Sequence, residues 1–372
     1  MKTKKSFTVI FLTCILCGIT YGQVQTPNGT SVEYHTLSAG NVASIEAYAA
    51  SWIAARGWTN DVIKTEAATE SYNCHSYAWY MSAGGVNTYW INAYLNSQLA
   101  NFNPYVNSTT LPTTPNNLKK YWDDGSYFET IESHATKVWY GASNASDWTW
   151  SASVGWENFR DHSAVRITSG THTGKYESKW GAWPRYIHPA NKSPYDISAR
   201  KFYTRPTITK VGNTGVVTGE VIYNGTMCIL NNPPAGTITW AVTGPFTYSS
   251  VAGSNNTKIL ITKTASTGSG TLTAKVDGTT VATHPLVVVN TQISGPSTVY
   301  SGNTNQLFYL PQTGDSYSWD DDGGYLTIVS GQYNTDAFFN VDYVYGTSKE
   351  RVYCTVIVNG IYNYFNKQVT IQ

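Results

Sequence analysis

The chain has 372 residues, a formal net charge of +1, 13% charged residues and 14% aromatic residues, among them 28 Tyr and 13 Trp. That balance leaves no basic footprint for nucleic acid, and no apolar run beyond the first 22 residues is long enough for a membrane-spanning helix. Cysteine is too sparse, at five residues, for a disulfide-stapled scaffold.

Residues 1–22 read as an export signal. Lys2, Lys4 and Lys5 form a basic start, Phe7 to Ile19 an apolar stretch too short to span a bilayer, and Thr20-Tyr21-Gly22 a set of small residues for cleavage. Leu16 before Cys17 does not suit a lipoprotein site. The mature chain is therefore expected to be secreted or held at a cell surface. It keeps Cys74, Cys228 and Cys354, an odd set, so at least one thiol stays free.

Residues 23–204 form a mixed region. Asn41 to Ala55 carries Val42, Ile45, Ala49, Trp52 and Ile53 on one helical stripe, with Gly57 as the stop. A second helix is expected to open near Cys74 and to end at Gly84-Gly85. Residues 87–99 fit either class, and residues 102–118, rich in Asn, Pro and Thr, read as a surface loop. Short strands follow from Phe128. Arg160 to Ser169 and Lys175 to Trp180 read as a hairpin about the Gly-containing turn between them.

From Arg205 the helical period disappears. Two units of alternating strands follow, 205–290 and 291–372, each expected to be an all-β sandwich with a core tryptophan, Trp240 in the first and Trp319 in the second. Each unit has one cysteine, Cys228 or Cys354, so neither can close an internal disulfide and both read as buried small hydrophobes. Asp320-Asp321-Asp322 reads as an acidic turn; a calcium loop would need the bidentate spacing it lacks.

The chemistry-bearing stretches are Asn73-Cys74-His75 and Asp161-His162-Ser163. Neighbouring residues on a helix point about 100° apart, so His75 is not expected to serve Cys74 as base. A thiol opening a helix is favoured as thiolate, and a strand histidine from elsewhere, His162, is the expected base. Glu177 on the partner strand is the expected orienting group, with Ser178 and His188 as alternatives. A Cys/His metal site from Cys74, His75 and His162 is a weaker reading, because no second CxxC or HxxxH spacing accompanies it. No cofactor is implied.

NCHSYAW, DHSAVR and ESKWG with a following His-Pro resemble the papain-fold cysteine hydrolases of bacteria, in particular the CHAP and NlpC-type amidases and endopeptidases. The resemblance covers about residues 40–190. It implies an α+β papain-like domain and cleavage of amide bonds in peptides or peptidoglycan, with Cys74 as nucleophile, His162 as base and Glu177 as third residue. The family usually has His, Asn or Gln at the third position and not His after the nucleophile. The two later units resemble bacterial Ig-like or PKD-like modules. The contrasting expectation is a non-catalytic surface binding protein or adhesin whose Ig-like modules meet a surface glycan or protein. The two separate on whether Cys74 and His162 face one open cleft.

Overall fold

The structure, a computed structural model, describes residues 24–37, 42–99, 114–141, 149–151, 155–157, 161–211, 220–310 and 314–372. The expected export signal lies outside the described residues, as does most of the loop placed at 102–118. No helix among the described residues is long and apolar enough to cross a membrane.

Helix α1 (Val42–Ala55) buries Ala49, Trp52 and Ile53, the i, i+3, i+4 stripe read from the sequence. Its first turn is less covered than that stripe implied, since Val42 stays exposed. Gly57, at φ 66°, ends the turn after it and donates to Ala54 O at 2.9 Å.

Nine strands belong to the region up to residue 204. They are β1 (Ile63–Glu66), β2 (Phe128–Thr130), β3 (Lys137–Tyr140), β4 (Thr149–Ser151), β5 (Gly155–Glu157), β6 (His162–Arg166), β7 (Tyr176–Lys179), β8 (Arg185–His188) and β9 (Arg200–Thr204). β4 and β5 pair with each other, and the other seven form one antiparallel sheet in the order β1-β8-β7-β6-β3-β9-β2. Alternation along the strands gives the sheet two different faces. Val138, Tyr140, Ala164 and Tyr176 cluster on one. Trp139, Val165 and Tyr203 meet Trp79, Tyr121 and Tyr127 on the other.

The next unit contains β10 (Thr207–Val211), β11 (Glu220–Val221), β12 (Thr226–Asn231), β13 (Ile238–Val242), β14 (Phe246–Ser250), β15 (Lys258–Lys263), β16 (Ser269–Val276) and β17 (Thr279–Val288). Its sheets run β10-β12-β15-β14 and β11-β17-β16-β13, with β11 parallel to β17. With β10 and β11 counted as one split first strand, this is the ABED and CFG partition of an immunoglobulin sandwich. The last unit repeats the plan with β18 (Thr298–Val299), β19 (Gln306–Tyr309), β20 (Ser316–Asp321), β21 (Leu326–Ser330), β22 (Asp336–Val341), β23 (Ser348–Val358) and β24 (Ile361–Ile371). Its sheets run β18-β24-β23-β20 and β19-β22-β21, again with a parallel first-to-last pair.

The two sandwiches repeat one internal detail. Trp240 on β13 donates its Nε1–H to Asn256 O at 2.7 Å, and Trp319 on β20 donates to Asn334 O at 2.8 Å. Each ring fills its core while its single polar atom finds a loop carbonyl. Cys228 on β12 and Cys354 on β23 are free and buried in these cores. Ile222 and Tyr223 insert into the core of the last sandwich. Asn363 Nδ2 donates to Asn224 O at 3.0 Å and Asn359 Nδ2 to Gly225 O at 2.8 Å, which ties the segment between the units to the last sandwich. The acidic run, expected as a turn, straddles the end of β20: Asp320 and Asp321 are its last paired residues and only Asp322 lies beyond it, with Asp321 Oδ1 accepting from Gly323 N at 2.6 Å and Asp322 Oδ2 from Arg351 N at 2.8 Å.

The expected fold class needs one correction. The chain is mostly β, and an α+β papain-like domain is not what the first region shows. One regular helix of 14 residues and a few short turns accompany its seven-stranded sheet.

Candidate functional site

The segment around Cys74 is fixed from Asn73. Its Oδ1 accepts from Ser76 N at 3.1 Å and its Nδ2 donates to Ile91 O at 2.7 Å, so one amide caps the turn and ties it to the neighbouring loop. The helical stretch then runs from Cys74 to Ala83, with π geometry over Ser76–Tyr80 and 3-10 geometry over Met81–Ala83. Gly84 ends it at φ 103°, a conformation that suits glycine. The helix expected there is present, with a wider turn than α geometry at the residues after the thiol.

His75 is gripped by the two residues that flank His162. Its Nδ1 lies 2.8 Å from Ser163 Oγ, which also accepts from Trp79 Nε1 at 2.8 Å. Its Nε2 lies 3.1 Å from Asp161 Oδ1, at ion-pair distance but in a direction that leaves Oδ1 without a hydrogen bond among the described residues. Burial opposes charge on this imidazole, but Cys74 and Asp161 beside it outweigh burial and raise its pKa to about 10. The imidazole coupled to the thiol is therefore that of His75, which sequence reasoning had pointed away from it.

His162 sits elsewhere for a reason of parity. Successive strand residues face opposite sides of a sheet, and Ser163, with Val165, takes the side covered by Trp79. His162 takes the other, opposite Tyr140, and its ring stacks on Tyr195 at 3.4 Å between centroids and 3° between planes. Neither ring nitrogen has a hydrogen-bond partner among the described residues. Burial, reinforced by the neighbouring imidazoles of His75 and His188, pushes its pKa well below the usual value. Glu177 pairs with Val165 across the hairpin, on the face that His162 does not share. It accepts from Tyr77 Oη at 2.7 Å and from Thr65 Oγ1 at 3.0 Å, and Arg185 Nε lies 3.0 Å from it. Its carboxylate is thus held in a clamp away from the imidazole it was expected to orient. Ser178 and His188 bond each other at 2.9 Å; His188 is buried, which lowers its pKa to about 4.

Cys74 and His75 line a pocket of about 380 Å³ together with Asn73, Asn92 and Asp161. Tyr48, Trp52, Trp90, Trp180, Trp183 and Tyr195 supply most of the remaining wall; His162 and Glu177 are not part of it. Lys179 lies behind the wall, its Nζ donating to Thr69 O at 2.9 Å, to Gly181 O at 2.8 Å and to Trp183 O. Burial lowers its pKa to about 7. Among the described residues no group of three or more His, Cys, Asp and Glu side chains is placed to hold a metal ion. The sequence signals for the pocket were present but unread: Asp161 beside His162, and the tryptophans at 90 and 183.

The class that the fold defines is a β-rich domain followed by tandem Ig-like sandwiches. Compared with known proteins, the chain matches no family model and no curated protein. Among solved structures it is similar to the Escherichia coli adhesin FdeC, with 17% identity over 45% of this chain and 62% of that one, at a TM-score of 0.18. It is also similar to titin A168–169, with 11% identity over 45% of this chain and 100% of that one, TM-score 0.17. The titin I-band fragment I67–I69 matches at 11% identity over 58% and 85% of the two chains, TM-score 0.17. The chain thus spans less than two thirds of the FdeC structure. At such TM-scores the strand order described above, and not the likeness, defines the sandwiches. The expectation of a papain-like cysteine peptidase or amidase is corrected at the site itself: His162 stacks on Tyr195 and Glu177 is held by Tyr77, Thr65 and Arg185, and neither lines the pocket with Cys74.

Proposed function

We propose that the chain is a non-catalytic surface-binding protein of the adhesin kind, secreted or displayed at a cell surface, which makes its contacts through the Ig-like modules. The observation that carries this reading is where tyrosine is exposed. Among the described residues, eight exposed tyrosines lie between positions 300 and 364, against three in the rest of the chain. Scattered single apolar residues on a surface need no explanation, but a concentration on one module does. Tyrosine gives a large, stiff contact area with a hydroxyl at its edge, the chemistry used by loop-borne binding surfaces.

The arrangement at one end of the last sandwich supports the same reading. Tyr300, Tyr343 and Tyr345 stand on two loops that are tied together: Val344 N donates to Ser301 Oγ at 2.9 Å and Gly302 N to Val341 O at 3.1 Å. Tyr343 and Tyr345 are 87% and 107% exposed, so side chains costly to leave in water stand on loops that are already ordered. The partner suited to such a surface is a neutral, hydroxyl-bearing one, a surface glycan or an uncharged protein patch. The opposite end of the module is occupied by the junction at Asn359 and Asn363.

The test is retention of the full chain on whole bacterial cells, animal cells and immobilised polysaccharides, with Cys74→Ala alongside. Retention on at least one surface, equal for both proteins, is the expected result. No retention by any surface, together with peptide or peptidoglycan cleavage that disappears in Cys74→Ala, would overturn the proposal.

A further inference from the structure

The cleft where the first domain meets the first sandwich plays no part in the surface reading, and its side chains define a ligand class. We infer that it binds a small hydroxyl-bearing carboxylate, the chemistry of an acidic sugar. Asn28, Asp124, Ser126 and Phe128 line it from the first domain, Thr207, Thr280 and Thr283 from the sandwich, and Arg205 from the link between them. Its volume of about 450 Å³ is that of a small-molecule site. The two walls are joined directly. Phe128 packs against the core of the first sandwich, Thr204 Oγ1 donates to Asn232 O at 2.9 Å, and Ala235 N donates to Thr130 Oγ1 at 3.2 Å.

The sign of the ligand rests on a guanidinium, which is a fixed charge. Arg205 is half-buried and makes no hydrogen bond or ion pair among the described residues. Its planar fork of donors matches the two oxygens of a carboxylate. The acid in the same lining is already engaged: Asp124 Oδ1 accepts from Ser126 N at 2.9 Å and Oδ2 from Thr26 Oγ1. Arg205 also acts on a second cation, the buried Lys137, whose Nζ donates to Ser82 Oγ and has no carboxylate partner among the described residues. Burial, and after it the charge of Arg205, lowers the pKa of Lys137 to about 7. The rest of the lining sets the body of the ligand. The side-chain hydroxyls of Thr207, Thr280 and Thr283 bond no described residue, which leaves them for hydroxyl partners. Phe128, Pro206 and Val281 add apolar surface for one face of a sugar ring. A phosphate monoester, with close to two charges, would ask for more than the one cation in this lining.

The experiment is isothermal titration of the full chain with glucuronate, galacturonate, glucose, galactose and inorganic phosphate. At least one uronate is expected to bind about tenfold or more tightly than the hexose of the same configuration, the effect of one charge-assisted pair. Arg205→Gln should remove that preference. Arg205→Lys, which keeps the charge without the fork, should keep part of it. The uronate-to-hexose ratio on the unsubstituted protein stands even if a variant folds poorly. Equal affinity for uronate and hexose, no binding of either uronate, a preference that survives Arg205→Gln, or tighter binding of phosphate would overturn the inference. Tyr343→Ser/Tyr345→Ser should bind the uronate as the parent does, so failure of this site and failure of the tyrosine surface are separate results.

Discussion

In the two sandwiches the interior is mainly aliphatic, with one tryptophan each and a few Phe and Tyr rings, and the exposed tyrosines stand on the surface. In residues 24–204 the arrangement is reversed: His75, His162, His188, Lys137 and Lys179 are all buried, beside Trp79, Tyr121 and Tyr140. The difference is one of where specificity is kept. A sandwich whose strands alternate cleanly leaves its outer faces and loops free to vary at little cost to the fold. The first domain instead holds buried polar groups that must be satisfied one by one, as when Ser163 Oγ serves both His75 and Trp79. Such an interior makes the domain sensitive to conditions that the sandwiches tolerate.

The largest effect expected from this contrast is in the sandwich cores. Trp319→Ala and Trp240→Ala should each cost about 3–5 kcal/mol, because each removes a large buried ring and leaves a loop carbonyl without its donor. Chemical denaturation monitored by circular dichroism checks this. A cost confined to the module that carries the substitution would show the two sandwiches to be independent, whereas a shared cost would trace to Ile222 and Tyr223 in the core of the last one.

Acid should strike the first domain next. His188 has a folded pKa of about 4, and that of His162 is lowered well below its ordinary value, both chiefly by burial. The unfolded chain therefore binds more protons than the folded one between pH 6.5, the ordinary histidine value, and about 4. This stability is present above pH 6.5 and lost as the pH falls toward 4, by up to about 1.4 kcal/mol per pH unit for each histidine. Urea midpoints at neutral pH and near pH 5 should fall more for tryptophan fluorescence from the first domain than for the sandwiches. Parallel losses in both regions would erase the contrast.

A smaller difference concerns the three free thiols. Cys74 lines the pocket, whereas Cys228 and Cys354 are sealed in sandwich cores where burial raises their pKa to about 11 and about 12. In the folded protein, iodoacetamide should modify Cys74 about tenfold faster than either of the others, as read by mass spectrometry of the peptides. Equal rates would mean that the pocket admits no more reagent than the cores do.

Much of this architecture was legible in the sequence where a period could be read. The strands of the sandwiches, the placement of Trp240 and Trp319 and the stripe of α1 all follow from alternation or helical spacing. The site was legible only in part. Asp161-His162-Ser163 drew attention to the right stretch of β6 but to its middle residue. Which of three adjacent side chains faces Cys74 depends on strand register, and a shift of one residue exchanges the two faces. The same register places Glu177 opposite Val165, on the face that His162 does not share. The aromatic wall could not be assembled from sequence at all, because Tyr48, Trp90, Trp183 and Tyr195 come from four separate stretches that only the tertiary fold brings together.

The central claim is that the contacts of this protein lie on the exposed tyrosines of its last module and not at its cysteine. The most direct measurement compares the parent chain with Tyr343→Ser/Tyr345→Ser on whichever surface retains the parent, by titrating the bound fraction. Both side chains stand in solvent, so the substitutions should leave the circular dichroism spectrum and denaturation midpoint unchanged. The account predicts a loss of affinity of about tenfold or more, the effect of removing a binding hot spot. Undiminished retention of the tyrosine variant would contradict it.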